Sequence, residues 1–111
     1  MARASKVSIE INMSAVPLSG NSLKLVNEGC IPGAAFTNLE YAETDTFFSD
    51  NLNYNLKMIA FDAQTSGGLL ISVNNLKAEE LLKDLRSAGL LMSSIIGKVT
   101  SRREKLLYLT D

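Results

Sequence analysis

Between two apolar stretches, the segment Asp62-Ala-Gln-Thr-Ser-Gly-Gly68 gathers a carboxylate, an amide, two hydroxyls and two glycines. Glycines at 67 and 68 allow a tight backbone turn that brings N–H groups close to an anion, and the Thr65 and Ser66 hydroxyls add two donors. A loop of this composition suits phosphate, with Asp62 and Gln64 supporting it from its entrance. It is not a complete nucleotide-binding P-loop. The pattern G-x-x-x-x-G-K-[ST] supplies a lysine and a helix N-terminus, whereas this segment has no lysine and runs into Leu69-Leu-Ile-Ser-Val73. A tight turn ahead of a central strand, its hydroxyls bonded to loose backbone groups, also accounts for these residues.

Other chemistry is limited by what the chain lacks. There is no histidine, which removes Ser-His-Asp triads, Cys-His dyads and His-containing zinc sites. Cys30 is the only cysteine, so an intrachain disulfide and a CxxC redox pair are excluded, and the usage suits a reducing cytosol. With no cation nearby in sequence to activate it, Cys30 is expected to be a buried or half-buried inert thiol. Glu40, Glu43, Asp45 and Asp50 would hold Mg²⁺ only if two of them converged, and they read as a solvated loop. Arg102, Arg103 and Lys105 read as a wet hairpin turn. Eleven basic against twelve acidic residues leave a formal charge of -1, which gives no general attraction to nucleic acid or anionic lipid.

The elements that must hold the 62–68 segment follow from periodicity. Val7, Ile9 and Ile11 alternate with Ser8, Glu10 and Asn12, the pattern of a half-buried strand. Ser22 caps a short helix that runs through Glu28 and stops at Gly29. From Cys30 to Asp50 the signals are mixed, with Pro32-Gly33 a turn and 34–39 capable of extending, and the stretch reads as irregular with weak strand character. Leu52, Leu56, Ile59 and Ala60 predict a short helix over 51–61, and Leu69 to Val73 a central strand. Asn74 or Asn75 caps the next helix, where Glu79 and Glu80 favour its N-terminal end, Leu81, Leu82, Leu85 and Ala88 form a core-packing face, and Gly89 is the stop. Ser93 to Val99 and Lys105 to Leu109 read as two strands joined by the polar turn 100–104.

The chain has 111 residues, 46% of them hydrophobic and 21% charged, which fits one globular domain spanning 1–111 with one core. Polar residues interrupt the Val7–Ile11 stretch, so no signal peptide is expected, and no apolar run nears the ~20 residues of a membrane span. A cytoplasmic chain of mixed α/β or α+β class is the expectation. The residues alone carry no complete catalytic set.

Four segments in order carry a resemblance to a known family. Asp62-Ala-Gln-Thr-Ser-Gly-Gly-Leu-Leu resembles the D-P-Q-T-S-G-G-L-L signature of the selenophosphate synthetase (selenide, water dikinase) family. Val16-Pro-Leu resembles its V-P-L, Glu28-Gly-Cys-Ile-Pro-Gly33 its G-x-x-P-G-G turn, and Ser94-Ile-Ile-Gly-Lys-Val99 its closing I-I-G-x-V strand. Ala63 stands where the family usually has proline, and Ala34 where it often has the second glycine. The resemblance implies a C-terminal domain of the AIR synthase superfamily, a layered sheet with helices and a ferredoxin-like core. The family's full-length enzyme converts selenide, ATP and water to selenophosphate, AMP and phosphate with Mg²⁺. Its nucleophilic Cys or Sec, partner lysine and most metal-binding aspartates lie in an N-terminal domain that this sequence lacks, and Cys30 does not match that nucleophile. The resemblance therefore implies no catalytic residue or metal site here and no activity in the isolated chain. It also implies Thr65, Ser66, Gly67 and Gly68 facing the substrate phosphates, and partnership with the N-terminal domain in an enzyme that is itself a homodimer. The alternative is a free-standing, non-catalytic binding or regulatory module.

Overall fold

The computed structural model describes residues 1–63 and 68–111. After a short helix α1 (Ala2–Ser5), the alternating segment forms strand β1 (Val7–Asn12), followed by a 3-10 turn (Met13–Ala15). Helices α2 (Ser22–Asn27) and α3 (Gly33–Glu43), strand β2 (Thr46–Phe48) and helix α4 (Tyr54–Ala60) come next. Beyond the 62–68 segment lie α5 (Asn75–Ser87), β3 (Gly97–Ser101) and β4 (Leu107–Thr110).

The strands form one mixed sheet in the order β2-β4-β1-β3. β1 pairs antiparallel with β3 and parallel with β4, and β2 pairs parallel with β4. The class is the mixed α/β expected from the sequence. The last two strands are not a hairpin, however, because β1 lies between them. The 102–106 connection crosses the start of β1 and is pinned there by one buried hydroxyl. Ser8 Oγ accepts from Arg103 N at 2.9 Å and donates to the Lys105 carbonyl at 2.7 Å, while Ile9 N donates to the Leu106 carbonyl at 2.9 Å.

Register separates the two sheet faces. Ile11 stands beside Leu109, and Leu109 beside Phe48. These residues meet Met13, Phe61, Leu39, Leu52 and Leu56 in the hydrophobic core, so α3, α4 and the 3-10 turn close one face. The other face carries Ser8, Glu10, Lys98, Tyr108 and Phe47.

Three expectations are corrected. The 30–50 stretch is not irregular: α3 forms with Ala35 fully buried and Leu39 and Ala42 half-buried on the same face, a helical spacing masked in sequence by Phe36, Thr37 and Tyr41. Leu69–Val73 is not a central strand; it carries no ladder and all five residues are exposed. Its composition suits a strand, but strand formation requires a neighbour's backbone, and 69–73 pairs with neither β2 nor β3, the two strands at the edges of the sheet. Finally, α5 forms where expected, with Asn74 Oδ1 accepting from Leu76 N at 2.9 Å and Gly89 at φ +94° beyond its end. Glu79 and Glu80 lie past its first turn, and it is not a core helix, because Leu81, Leu82 and Leu85 are only half-buried and Ala88 is exposed.

Candidate functional site

The entrance to the 62–68 segment is firmly built. Asn53 caps α4, its Oδ1 accepting from Asn55 N at 2.8 Å, and Met58 is almost completely buried on that helix. Phe61, just past the helix, is buried beside Met13 and Leu109 and meets the Phe48 ring edge-on at 6.1 Å. Asn38 Nδ2 donates to the Phe61 carbonyl at 3.0 Å, and Asp62 N donates to the Ile59 carbonyl at 3.1 Å. Two helices thus fix the backbone up to Asp62, a half-buried residue that takes part in further interactions of its own. Gln64, Thr65, Ser66 and Gly67 lie outside the described residues. Gly68, at the exit, is exposed, and a Cβ placed on it would meet no atom within 4 Å.

The remaining candidates are dispersed. Cys30 is exposed, against the expectation of a buried thiol, because it follows Gly29 at φ +85° in the turn that ends α2. Its N–H donates to the Leu25 carbonyl at 2.9 Å, and that capping bond holds the residue at the surface. Asp45 pairs with Arg3, and Glu43 with Lys57 at 4.0 Å. Among the described residues no three His, Cys, Asp or Glu side chains are grouped to hold a metal ion. Glu43 and Asp45 are thus each paired with a cation, and no chemical step is assigned to a metal ion here. No helix among the described residues is long and apolar enough to cross a membrane.

The basic residues near 102 are better ordered than a wet turn implies. Arg103 pairs with Glu10 and lies 3.7 Å over the Tyr108 ring, while Lys98 Nζ reaches the other Glu10 oxygen at 3.0 Å. The Lys98 hydrogen bond, with the Lys98 and Arg103 charges, holds the Glu10 carboxyl below its ordinary range despite some desolvation. Lys105 Nζ donates to the Thr44 carbonyl at 2.7 Å. This charged lattice lies on the uncovered sheet face, beside an open groove of ≈ 300 Å³ lined by Glu10, Asn12, Ile96, Lys98 and Thr110. Alternation along β1 already places Glu10 on the polar face, but neither its partners nor the role of Ser8 has a local sequence signal.

The profile of the family described as AIR synthase related protein, C-terminal domain, matches residues 1–109. The chain belongs to that family. Among curated relatives, the AIR synthase related chain is 40% identical over 107 residues to the selenide, water dikinase of Clostridioides difficile (strain 630), a match covering 96% of this chain and 31% of the relative. It is 42% identical over 105 residues to the selenide, water dikinase of Porphyromonas gingivalis (strain ATCC BAA-308 / W83), covering 94% and 30%. With the selenide, water dikinase of Caldanaerobacter subterraneus subsp. tengcongensis the identity is 35% over 108 residues, covering 97% and 31%. The chain spans about 30% of the length of these relatives.

Proposed function

We propose that this AIR synthase related domain serves as the C-terminal part of an ATP-dependent selenide, water dikinase, which makes selenophosphate, AMP and phosphate from selenide, ATP and water. The observation that carries this reading is the near-complete match of the chain to part of a selenide, water dikinase at 40% identity. In that enzyme the chain works in the cytoplasm beside an N-terminal domain within a homodimer, and binds no nucleic acid. The nucleophile lies in the N-terminal domain, as do most of the carboxylates that would bind Mg²⁺. Mg²⁺ would supply charge neutralisation at the ATP phosphates. This chain contributes the 62–68 segment: backbone N–H groups at Gly67 and Gly68 and hydroxyls at Thr65 and Ser66 donate to phosphate oxygens, while Asp62 and Gln64 support the turn. Donors fixed in place before the reaction stabilise charge without reorganising, which is how such a segment assists phosphoryl transfer.

The test joins the part of the Clostridioides difficile relative that this chain does not cover to residues 1–111. The fused protein is expected to release AMP from ATP in a selenide-dependent manner, and the isolated chain is expected not to. Gly68→Val is the informative variant, since nothing stands within 4 Å of a Cβ there and folding should be preserved. Valine keeps the N–H but places a branched side chain beside the backbone donors, and activity should fall on the order of a hundredfold, the cost of misplacing a reacting group. Unchanged kinetics would make the segment purely structural. Selenophosphate formation by the isolated chain would overturn the wider reading.

A further inference from the structure

We propose that Asn38 is a positioning residue for the dikinase reaction, acting through the one backbone carbonyl that its amide holds. This rests on the function proposed above and names the residue that aims the chain as it enters the 62–68 segment. Asn38 Nδ2, on α3, donates to the Phe61 carbonyl at 3.0 Å, across 23 positions of chain. The peptide that joins Phe61 to Asp62 is a rigid plane, with that carbonyl on one edge and the Asp62 N–H on the other. Asp62 N donates to the Ile59 carbonyl at 3.1 Å, so the plane is held at both edges, once by α4 itself and once from α3. Whatever follows swings with this plane, because the next free rotations are the φ and ψ of Asp62.

Holding the helices together does not require this amide. Asn38 is an exposed residue outside the core, whereas Leu39 and Ala42 of α3 pack with Leu56 of α4 and with Phe61 in the hydrophobic cluster. Glu43 of α3 also pairs with Lys57 of α4 at 4.0 Å, and Lys57 Nζ lies 4.0 Å over the Phe48 ring. What the Asn38 amide adds is a fixed direction for one carbonyl. The Asp62–Ile59 bond alone leaves the plane free to pivot about that contact, and a second bond at the opposite edge stops the pivot. Direction matters more to a reaction than to a fold, since a misplacement of about 1 Å caused far from the chemistry costs on the order of a hundredfold in rate. A side chain outside the core that fixes the approach to the proposed phosphate donors therefore acts on the reaction first and on stability second.

Kinetics of the fused protein test the role. Asn38→Ala should lower kcat about tenfold and leave KM for ATP within about twofold, because displaced donors lose contact with the transition state before they lose the substrate. Asn38→Leu removes the donor at similar volume and should behave alike, and it replaces the alanine variant if that one fails to fold. Asn38→Gln keeps an amide donor and should recover to within about threefold of the unaltered protein. In a Gly68→Val background Asn38→Ala should add less than about a twofold loss, since residues that act as a unit lose their effects together. Unchanged kcat without the donor, a glutamine variant as slow as the leucine variant, or a full tenfold loss added to Gly68→Val would each overturn the role. Amide exchange in the 111-residue chain needs no activity: the Asp62 N–H should exchange about tenfold faster in Asn38→Ala while β1 amides keep their rates. An unchanged Asp62 rate would overturn the clamp. An unaltered fused protein that releases no AMP with selenide sinks the functional reading and this role with it, whereas an active fused protein indifferent to Asn38 sinks this role alone.

Discussion

The residues on either side of the 62–68 segment follow different rules. Every buried residue among those described lies between Ala2 and Phe61 or between Leu106 and Leu109, while the stretch from Gly68 to Val99 has none. Apolar content does not explain the difference, since Leu69-Leu-Ile-Ser-Val73 is as apolar as β1. Partners do. β1 has a strand on each side and a helical layer over one face, and 69–73 has neither. Burial belongs to an arrangement of elements, and an apolar segment lacking a second layer stays exposed whatever its composition.

Substitutions test that contrast directly. The largest effect is expected for Met58→Ala, which removes a side chain that is 1% exposed; unfolding in urea should show a loss of about 2–5 kcal/mol. In the open stretch, Leu91→Ala should change stability by no more than ~0.5 kcal/mol, and a loss matching that of Met58→Ala would erase the distinction.

Gly97 stands at the boundary between the two regions. A Cβ there would lie 1.9 Å from the Glu10 carbonyl oxygen, so Gly97→Ala must push β3 away from β1. A cost of about 1–3 kcal/mol is expected, with faster amide exchange through 97–101 and little change in α4. Ser8→Ala leaves Arg103 N and the Lys105 carbonyl without their hydroxyl partner, and should cost about 1–3 kcal/mol in the same urea measurement. A neutral result would show that water replaces the hydroxyl and that the crossing of β1 does not depend on it.

The smallest effect concerns pH. Glu10 is held below the ordinary carboxylate value of 4.5 by Lys98 and Arg103, so its ionised form is favoured by folding. That contribution is complete above the ordinary value and is lost as pH falls through the lower folded value. Glu10→Gln should flatten the stability profile between about pH 5 and pH 3 and reduce its dependence on salt. An unchanged profile would mean that these charges act independently.

Legibility followed the range of the determining interaction. β1, α2 and α5 were readable because alternation, the Asn74 cap and the stops at Gly29 and Gly89 act over a few residues; the expected Ser22 cap does not form, since Ser22 is the first residue of α2 and its hydroxyl donates to the Ser19 carbonyl instead. α3 was hidden because its helical face rests on Ala35, Leu39 and Ala42, weak apolar signals among β-formers. The supposed hairpin at 100–104 failed for a longer-range reason: β1, ninety residues earlier, inserts between the two strands. At the candidate site, the glycine and hydroxyl cluster was visible as composition, and its four central residues lie outside those described. The firm seating of Phe61 and Asp62 needed helices from two other parts of the chain.

By itself the sequence determined the class, the strand and helix ends set by local caps, the exclusion of histidine chemistry and the family resemblance at Asp62–Leu70. These depend on residue identity and on spacing within one or two turns of chain. Tertiary structure alone decided that Ser8 would pin a connection across β1, that Gly97 would face a carbonyl with no room for a side chain, and that 68–99 would remain uncovered. Each of those outcomes depends on which distant backbone occupies a neighbouring position, and close packing lets only one segment do so.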